Sequence, residues 1–416
     1  MIRVMTKEEY TRPEAKSADK EIISTVSEIL ADVKANGDEA LMKYERKFTG
    51  KSQPLKVTDS EIAEGLNSVT GEYMTALERS ASNIRKFHER QMITAESFML
   101  WPSQGVMTGQ KVIPLERVGI YIPGGKASYP STVLMNVIPA KIAGCREIII
   151  ASPSITPEIL ASAKVSGATS IYRMGGAQAI GAFAYGTQTV PKVDKITGPG
   201  NVYVAEAKRQ VYGAVDIDMT AGPSEILIVS DETSNPKYIA ADMLAQSEHD
   251  ENASAILVTT SEKLAREVQS EIARQLETLP RKDIASASIS NNGAIILVDT
   301  VDDAIDFAND FAPEHLELCV CDAFSWHEKV RNAGTVFIGE YSPEALGDYY
   351  AGTNHTLPTM GTAKFSSPLS VLDFVKTSQY IYCSRSDLLS FSRDIEMMAD
   401  SEGLTGHSRS IRIRGE

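Results

Sequence analysis

Hydrophobic and polar positions follow two different rhythms along the chain, and the rhythm changes near residue 111. Before that point the apolar residues recur three or four positions apart, which is the spacing of amphipathic helices. The spacing predicts helices over 22–33, from residue 40 onward, over 60–69 and over 72–98, with Asp59 or Ser60 as an N-cap. We therefore expect the first hundred residues to form a helical layer.

After residue 111, short runs rich in β-branched residues alternate with helical stretches. Strands are predicted at 117–122, 147–151, 170–173, 225–230, 255–259, 294–298, 316–320 and 335–338. The helices between them are predicted at 131–143, 157–165, 235–248 and 261–275. This alternation indicates βαβ units and parallel sheets covered by helices on both faces. The turn cluster at 220–224 separates two such sheets, and the tail after Ser370 is predicted to be helical and polar.

Composition narrows the class of protein. The 416 residues suffice for about two to three domains, and 43% hydrophobic with 23% charged residues is typical of a globular chain. Lys and Arg number 41 against 55 Asp and Glu, a net charge of −14, so we expect neither a nucleic-acid-binding surface nor attachment to an anionic membrane. No secretory signal or membrane span is expected, and four cysteines are too few for a disulfide framework. The default expectation is a soluble cytoplasmic protein.

Three glycine-rich turns follow predicted strands, at 121–126, 174–178 and 198–201. The first fails as a Walker A loop because Gly125 displaces Lys126, and the other two do not complete the G-x-G-x-x-G fingerprint. Small residues at the carboxyl ends of parallel strands still allow backbone N–H groups to approach a phosphate or a nucleotide. The alternative is that these glycines only form tight turns.

Potential metal ligands lie in three separate segments of the chain. They are Gln246 with His249, Asp348 with His355, and Glu402 with His407. Gln246 and His249 are three positions apart near the end of a helix, which places them on one face. A Zn²⁺ site needs only such nitrogen and oxygen donors to converge. Each segment alone is more commonly a solvated or hydrogen-bonded side chain.

Glu314 and His315 come directly before a predicted strand. The alternation places Leu316, Leu318 and Val320 on one face, with His315, Glu317, Cys319 and Cys321 on the other. An imidazole titrates near neutral pH, so an acid–imidazole pair here is suited to proton transfer, although it could equally be a hydrogen-bonded pair at a sheet edge. We expect His88 and His327 at the surface and the C-x-C pair in core packing.

Eight segments resemble the histidinol dehydrogenase family. In chain order they are GIYIPGGKASYPSTVLMNVIPAKIAG, MGGAQAI, ITGPGNVYVAEAK, DMTAGPSE, AQSEHDENASAILVT, FAPEHLEL, GDYYAGTNHTLPTMGTAKFSSPLSVLDF and EGLTGHSRS. They occur in the family's order from about residue 115 to the tail, whereas the N-terminal helices carry no motif. Eight ordered motifs are far more specific than any one of them.

The resemblance implies an activity and a set of site residues. The reaction is oxidation of L-histidinol through the aldehyde to L-histidine, with two NAD⁺, one water and one Zn²⁺ per site. The implied zinc ligands are Gln246, His249, Asp348 and His407. The implied substrate contacts are Ser224, Gln246, His249, His315, Asp348, Glu402 and His407, and the implied NAD contacts are Tyr121, Gln178 and Asn201. In this family His315 would take the hydroxyl proton and Glu314 would activate the water that hydrates the aldehyde.

The resemblance also implies an architecture and an assembly. The fold expected is α/β, with two Rossmann-like parallel-sheet domains and helical N-terminal and C-terminal extensions. The domains expected are an extension at 1–13, a first α/β domain at 14–120 plus 227–369, a second on the NAD side at 121–226, and a tail at 370–416. The family is dimeric, so Glu402 and His407 of the partner subunit would complete each site.

Two alternatives differ from this interpretation. The chain could be a paralogue that oxidises another small alcohol, such as a sulfonated diol, but the retained FAPEHLEL motif with Glu402 and His407 weighs against that. It could also be a non-catalytic nucleotide-binding protein that has kept the fold. The intact pair Glu314 and His315 argues against this second alternative.

Overall fold

The computed structural model describes residues 2–12, 19–50, 53–103, 105–124, 128–220 and 222–416. The N-terminal part contains β1 (Arg3–Thr6), α1 (Lys20–Asn36), α2 (Asp38–Thr49), α3 (Asp59–Ser68), α4 (Gly71–Gln91), β2 (Phe98–Ser103) and β3 (Val106–Pro114). The four predicted helices are present, but α4 ends seven residues earlier than predicted, and the strands β1, β2 and β3 were missed. The N-cap of α3 is Thr58, which forms a capping box with Glu61, so Asp59 and Ser60 were wrong as caps.

A five-stranded parallel sheet follows. Its elements are β4 (Arg117–Tyr121), α5 (Pro130–Ala143), β5 (Glu147–Ser152), α6 (Pro157–Ser166), β6 (Ser170–Arg173), α7 (Gly176–Tyr185), β7 (Lys195–Thr197), α8 (Val202–Val211) and β8 (Asp216–Ile217). The strand order is β6-β5-β4-β7-β8. The chain runs outward from β4 to one side and then returns to the other side, so the switch point lies between β4 and β7.

A six-stranded parallel sheet forms the second core. Its further elements are β9 (Glu225–Ser230), α9 (Pro236–Ser247), β10 (Ser254–Thr259), α10 (Glu262–Leu276), α11 (Lys282–Asn292), β11 (Ala294–Leu297), α12 (Val301–Phe311), β12 (His315–Cys319), α13 (Ala323–His327) and β13 (Thr335–Ile338). The strand order is β1-β11-β10-β9-β12-β13, and every pairing is parallel. The predicted α/β class with two parallel sheets is confirmed; the predicted domain limits stay predictions.

Alternation along β12 distributes its side chains between two cores, as predicted. Leu316 and Leu318 pack with the cluster that includes α12, whereas Cys319 packs with the cluster on the opposite face. Each such buried aliphatic side chain contributes about 1.5–3 kcal/mol relative to exposure. The sheet therefore has little freedom to slip, because a one-residue shift would exchange its two faces.

The C-terminal part contains α14 (Glu344–Leu346), β14 (Val375–Cys383), α15 (Arg385–Ser390), α16 (Ser392–Ser401) and α17 (Thr405–Arg412). The tail is thus not helical from Ser370, because β14 pairs antiparallel with β3 in the sheet β14-β3-β2. Its Tyr380-Ile-Tyr382 run favours a strand. Within the described ranges, no helix is both long and apolar enough to cross a membrane.

Candidate active site

The main chain of Glu225 connects the two residues predicted to be catalytic. Its N–H donates to Glu314 Oε2 at 2.9 Å, and its carbonyl oxygen lies 3.0 Å from His315 Nδ1. The strands β9 and β12 are neighbours, with Ile226 opposite His315. The register of a buried parallel sheet therefore fixes the positions of both side chains.

The contact with Glu225 determines the tautomer of His315. A carbonyl oxygen can only accept a hydrogen bond, so Nδ1 carries the proton and Nε2 carries the lone pair. Nε2 is buried and has no hydrogen-bond partner among the described residues. Burial lowers the pKa of His315 to about 4, against the opposing effect of the Asp348 carboxylate. At neutral pH the ring is therefore an uncharged base with a free acceptor nitrogen.

Glu314 is buried beside the imidazole. Its Oε2 lies 3.7 Å from His315 Nδ1, and its side chain is 8% exposed. Burial raises the pKa of Glu314 well above its ordinary value, and the negative charges of Glu225 and Asp348 add to that rise. A carboxylate with a raised pKa binds a proton more strongly, which suits a general base acting near neutral pH.

A cluster of possible metal ligands lies next to this pair. His249, Glu344 and Asp348 each offer a ligand atom, and these atoms lie within 4.8 Å of one another. His249 follows the end of α9, and Asp348 lies in a π-helical turn, Gly347–Ala351, directly after α14. Single π-helical turns are uncommon and frequently occur at functional sites. Glu344 Oε1 also lies 3.9 Å from His315 Nδ1, which joins the cluster to the pair Glu314 and His315.

Gln246, in the last turn of α9, contacts one member of the cluster, Glu344. It is fully buried, and the amide orientation that satisfies both groups places its nitrogen 2.9 and 2.7 Å from the two oxygens of Glu344. The amide oxygen is on the other side of the planar group and is free of that contact. The His249 imidazole, the Asp348 carboxylate and an amide oxygen are donors that Zn²⁺ accepts, and Glu344 places a further carboxylate beside them.

Electrostatics also favour a cation at the cluster. Burial raises the pKa of Glu344 well above its ordinary value, and the charges of Asp348 and Glu314 raise it further. Burial lowers the pKa of His249, so this imidazole is held in the neutral form that ligates metals. Buried charges of one sign are costly unless they are paired or bind a metal. The residues present therefore fit a divalent cation.

The segment that carries Asp348 is held by α4 and α5. Asn83 Nδ2 donates to Tyr350 O at 2.8 Å, and Asn354 Nδ2 donates to Met135 O at 2.7 Å. His88 lies 3.3 Å from Asn354 Nδ2 and is fully buried, so its predicted surface position is wrong. The error arose because the polar neighbours of His88 on α4 hid its contact with a segment more than 260 residues away. His327 is exposed, as predicted.

The three residues implied as NAD contacts lie at turns of the five-stranded sheet. Tyr121 ends β4 and its hydroxyl accepts from Gly176 N at 3.1 Å, and Asn201 caps α8. Gln178 Nε2 donates to Glu45 Oε1 at 3.0 Å, and the buried Oε1 of Gln178 has no partner among the described residues. Gly125 and Lys126 of the first turn lie outside the described residues.

Two of these turns touch at the switch point of the sheet. Gly198 has φ +108°, and a Cβ atom there would lie 2.1 Å from the carbonyl oxygen of Tyr121. Only glycine fits this approach. The cradle with its unpartnered Gln178 oxygen therefore fits a dinucleotide, which binds at the switch point of a doubly wound sheet.

The remaining predicted residues fall into two groups. Ser224 directly precedes β9, next to the Glu225 backbone that contacts Glu314 and His315. Glu402 and His407 are exposed on the α16–α17 segment, and no hydrogen bond or ion pair in the described ranges joins them to the cluster. A single chain therefore brings together Gln246, His249, Glu314, His315 and Asp348, but not Glu402 or His407.

Sequence reasoning missed two buried acids at this site. Glu225 opens a strand that is buried throughout, and Glu344 precedes Asp348 by four positions, a spacing that places both on one helical face. For Glu225, the available signal was an acidic residue at the start of a buried apolar run. For Glu344, the signal was its spacing from Asp348.

Comparisons with known proteins agree on one family. The model of that family, histidinol dehydrogenase, matches residues 12–415. A histidinol dehydrogenase from Lactococcus lactis subsp. lactis is 50% identical over 403 residues, covering 95% of this chain and 93% of the relative. Another, from Bacillus cereus, is 49% identical over 419 residues, covering 100% and 97%.

A solved structure agrees with these sequence matches. The crystal structure of histidinol dehydrogenase from Elizabethkingia anophelis superposes with a TM-score of 0.92 at 38% identity, covering 99% of this chain and 98% of that one. Succinate-semialdehyde dehydrogenase from Burkholderia pseudomallei, at 12% identity and a TM-score of 0.50, covers 87% and 90% and shares the fold alone.

Proposed function

Since this chain belongs to the histidinol dehydrogenase family, we propose that it oxidises L-histidinol through the aldehyde to L-histidine, using two NAD⁺ and one water. The observation that carries the proposal is the buried Nε2 of His315, which lacks a partner among the described residues beside a cluster of possible metal ligands. An alcohol oxidation needs a base at the hydroxyl and a firm hold on the rest of the substrate.

In the first oxidation, His315 accepts the hydroxyl proton at Nε2. The neutral ring becomes an imidazolium whose Nδ1–H remains on the Glu225 carbonyl, so the ring does not turn as it gains charge. The negative charge of Asp348 stabilises the imidazolium, since it acts on the pKa of His315 in that direction. NAD⁺, when bound, accepts the hydride that leaves the carbinol carbon in each oxidation.

Between the two oxidations, Glu314 accepts a proton from the water that attacks the aldehyde. Its position beside His315 keeps the hydration step in the same site, so the aldehyde need not be released. As the water adds, the His315 imidazolium returns its proton from Nε2 to the former carbonyl oxygen, which gives the gem-diol and restores the neutral ring. The gem-diol then offers the freed Nε2 a hydroxyl again. One base therefore serves both oxidations, and a separate carboxylate serves the hydration between them.

The metal would hold the substrate in this scheme. Gln246, His249 and Asp348 would bind Zn²⁺ together with His407 of the partner subunit, and the ion supplies a Lewis-acidic anchor for nitrogen atoms of the substrate. Tyr121, Gln178 and Asn201 would contact the dinucleotide at the switch point.

Stoichiometry tests the proposal directly. Zinc-loaded protein with limiting L-histidinol should release two NADH per substrate and form L-histidine, whereas a panel of other small alcohols, including a sulfonated diol, should give little turnover. Boiled protein and protein with His315→Asn serve as controls. One NADH per substrate, or turnover of the panel alcohols above that of histidinol, would contradict the proposal.

We also propose a homodimer in which the tail completes the neighbouring site. Support comes from apolar side chains left exposed on the tail, where Met397 and Met398 are 61% and 70% accessible, and on β14, where Ile381 is 76% accessible. Such a surface is unusual on a monomer unless it serves an interface. Glu402 and His407 lie on this tail, apart from the cluster that they would complete in the partner.

Subunit mixing tests the shared site. Chains with His315→Asn and chains with His407→Ala should each be nearly inactive as homodimers. After dissociation and reassociation in equal amounts, one intact site forms in each mixed dimer, so about a quarter of the wild-type activity should return. Activity that stays at the level of the separate variants would contradict the shared site.

The proposed role as an NAD⁺-dependent biosynthetic enzyme also supports a cytoplasmic location. All four cysteines are free thiols, which agrees with a reducing compartment, and NAD⁺ is a soluble cofactor. Fractionation of producing cells checks this point.

A further inference from the structure

Glu344 is a buried acid to which the proposed reaction assigns no role. It lies at the start of α14 with only 4% of its surface exposed, between Gln246 and His315. Its backbone N–H donates to Glu317 Oε1 at 2.9 Å, so main-chain contacts fix where its side chain begins. A buried, positioned carboxylate with two neighbours at the site calls for a physical explanation.

The contact between Glu344 and Gln246 is directional. In its ionised form, which a bound cation favours, Glu344 only accepts hydrogen bonds, and a carboxamide presents two donors on nitrogen and two lone pairs on oxygen. Both Glu344 oxygens lie within hydrogen-bond distance of the Gln246 nitrogen, at 2.9 and 2.7 Å. The opposite amide orientation would place oxygen against oxygen, so Glu344 selects one of the two orientations.

The orientation matters because an amide has only one end that can bind a cation. With its nitrogen on Glu344, the Gln246 amide has its oxygen on the side away from Glu344. His249 of the cluster lies three positions after Gln246, and its backbone N–H donates to the Gln246 main-chain carbonyl at 3.3 Å. Without a partner at the nitrogen, the amide could rotate by half a turn and present N–H groups to the ion. Hydrogen bonds to ligating side chains commonly fix ligand orientation and tune affinity for the metal.

We propose that Glu344 is a positioning residue that turns the Gln246 amide oxygen toward the divalent cation of the cluster. The proposal rests on the proposed function only in that it takes Gln246 as a ligand of that ion. It differs from a direct ligand role for Glu344, which the 4.8 Å cluster geometry alone would also allow.

The positioning role predicts a definite behaviour in a swapped pair. Glu344→Gln should weaken zinc binding about 10–100-fold, since the introduced carboxamide can pair with either amide orientation of Gln246. Adding Gln246→Glu should restore affinity to within a few-fold of wild type, because the two oxygens of a carboxylate are equivalent. One of these oxygens then accepts from the introduced carboxamide while the other faces the ion.

Zinc dissociation constants from chelator competition, together with the visible spectrum of Co²⁺-loaded protein, provide the readout. Glu251→Gln, the same change at an exposed residue near His249, is the matched control and should bind zinc like wild type. If Glu344→Gln does not fold, the zinc dissociation constant of the double variant is the test. A value like that of wild type supports the positioning role of Glu344, and weak binding overturns it.

Two outcomes separate this proposal from the proposed function. Unchanged zinc affinity in Glu344→Gln, or a double variant no better than Glu344→Gln, would overturn the role of Glu344 alone. Wild-type protein that binds zinc but does not oxidise histidinol would overturn the function and leave the role of Glu344 in zinc binding intact.

Discussion

Arg12 Nη2 lies 2.5 Å from Glu225 Oε1, and Glu225 is the residue whose main chain holds both Glu314 and His315. Through Glu225, the N-terminal segment is thus one residue away from Glu314 and His315. The Arg12 guanidinium also lies 3.9 Å from the centre of the Phe311 ring. Burial raises the pKa of Glu225, and Arg12 opposes that rise.

Removing this cation should destabilise the fold. Arg12→Met leaves a buried carboxylate without its ion-pair partner, at a cost of about 3 kcal/mol in the free energy of unfolding. Urea unfolding at pH 8 measures the loss. The double variant with Glu225→Gln should recover part of it, because no unpaired charge then remains. Equal stabilities of the single and double variants would contradict the ion-pair explanation.

His315→Asn should slow both oxidations by about 10²–10⁴-fold, the usual contribution of a general base. Asparagine can still donate a hydrogen bond to the Glu225 carbonyl but has no basic nitrogen. Single-turnover rates with histidinol and with the aldehyde separate the two steps. Loss of only one step would show that another group serves as base in the other.

The imidazole of His315 should remain neutral where an ordinary histidine titrates. Its pKa of about 4 means that the proton-accepting form is present throughout the neutral range and is lost only as pH falls through 4. NMR of ¹⁵N-histidine protein, with the signal assigned by its absence in His315→Asn, should show no titration between pH 8 and 5. A midpoint near 6.5 would contradict the buried, uncharged ring.

Glu314→Gln should impair conversion of the aldehyde to the acid more than oxidation of the alcohol. The amide oxygen can keep the hydrogen bond from Glu225 N, but the group can no longer take a proton from water. A loss of about 10²–10⁴-fold in the second step is expected. We expect one NADH per histidinol on a short time scale, followed by slow release of the second. An unaffected overall yield of acid at the wild-type rate would refute this role.

Gly198→Ala should weaken NAD⁺ binding. The residue has φ +108°, which costs a side chain about 1–2 kcal/mol, and its Cβ would collide with the Tyr121 carbonyl. A roughly tenfold rise in the dissociation constant of NAD⁺ is expected. Gly213→Ala is the matched control, since Gly213 has φ +96° but no heavy atom within 4 Å of where a Cβ would lie. Equal effects of the two changes would show that backbone strain, and not the turn contact, is responsible.

Asp242, which lies close enough to Glu344 to affect its pKa, should make the free energy of unfolding depend on pH. Burial raises the pKa of Asp242 to about 6 from an ordinary 3.8, and a hydrogen bond with Glu317 opposes that rise. The folded chain binds this proton more tightly than the unfolded chain, so the stabilisation is complete below about pH 3.8 and is lost as pH rises through 6. Asp242→Asn should raise the melting temperature by a few degrees at pH 8 and by less at pH 5. An equal gain at both pH values would contradict this assignment.

The predicted strands matched the structure where the chain is buried on both faces. Runs such as Glu225–Ser230 are almost continuously apolar, which is typical of parallel strands under two helical layers. The strands β7 and β8 have only three and two residues, too few for a pattern. The strands β1 and β14 pair with partners far away in sequence, and their own residues carry only a weak signal.

Candidate site residues could be predicted where the reactive side chains are adjacent in the sequence or belong to a family motif. Glu314 and His315 stand together in the sequence, and the resemblance supplied the other candidates. Glu225 and Glu344 act through contacts between separate elements, β9 with β12 and α14 with α9. Such contacts depend on tertiary packing, which spacing within one element does not encode.

The pairing of β1 with β11 also determines which of the two parallel sheets can form first during synthesis. Arg3–Thr6 pairs with Ala294–Leu297, and Arg12 forms its ion pair with Glu225. These partners are synthesised much later than the N-terminal segment, so the segment cannot make these contacts until more than half of the chain has been made. The sheet from β4 to β8, by contrast, is contiguous and can form during synthesis. Nascent chains should therefore form the five-stranded sheet well before the six-stranded sheet that carries His315, and a chain that stops early would contain the first sheet without the second.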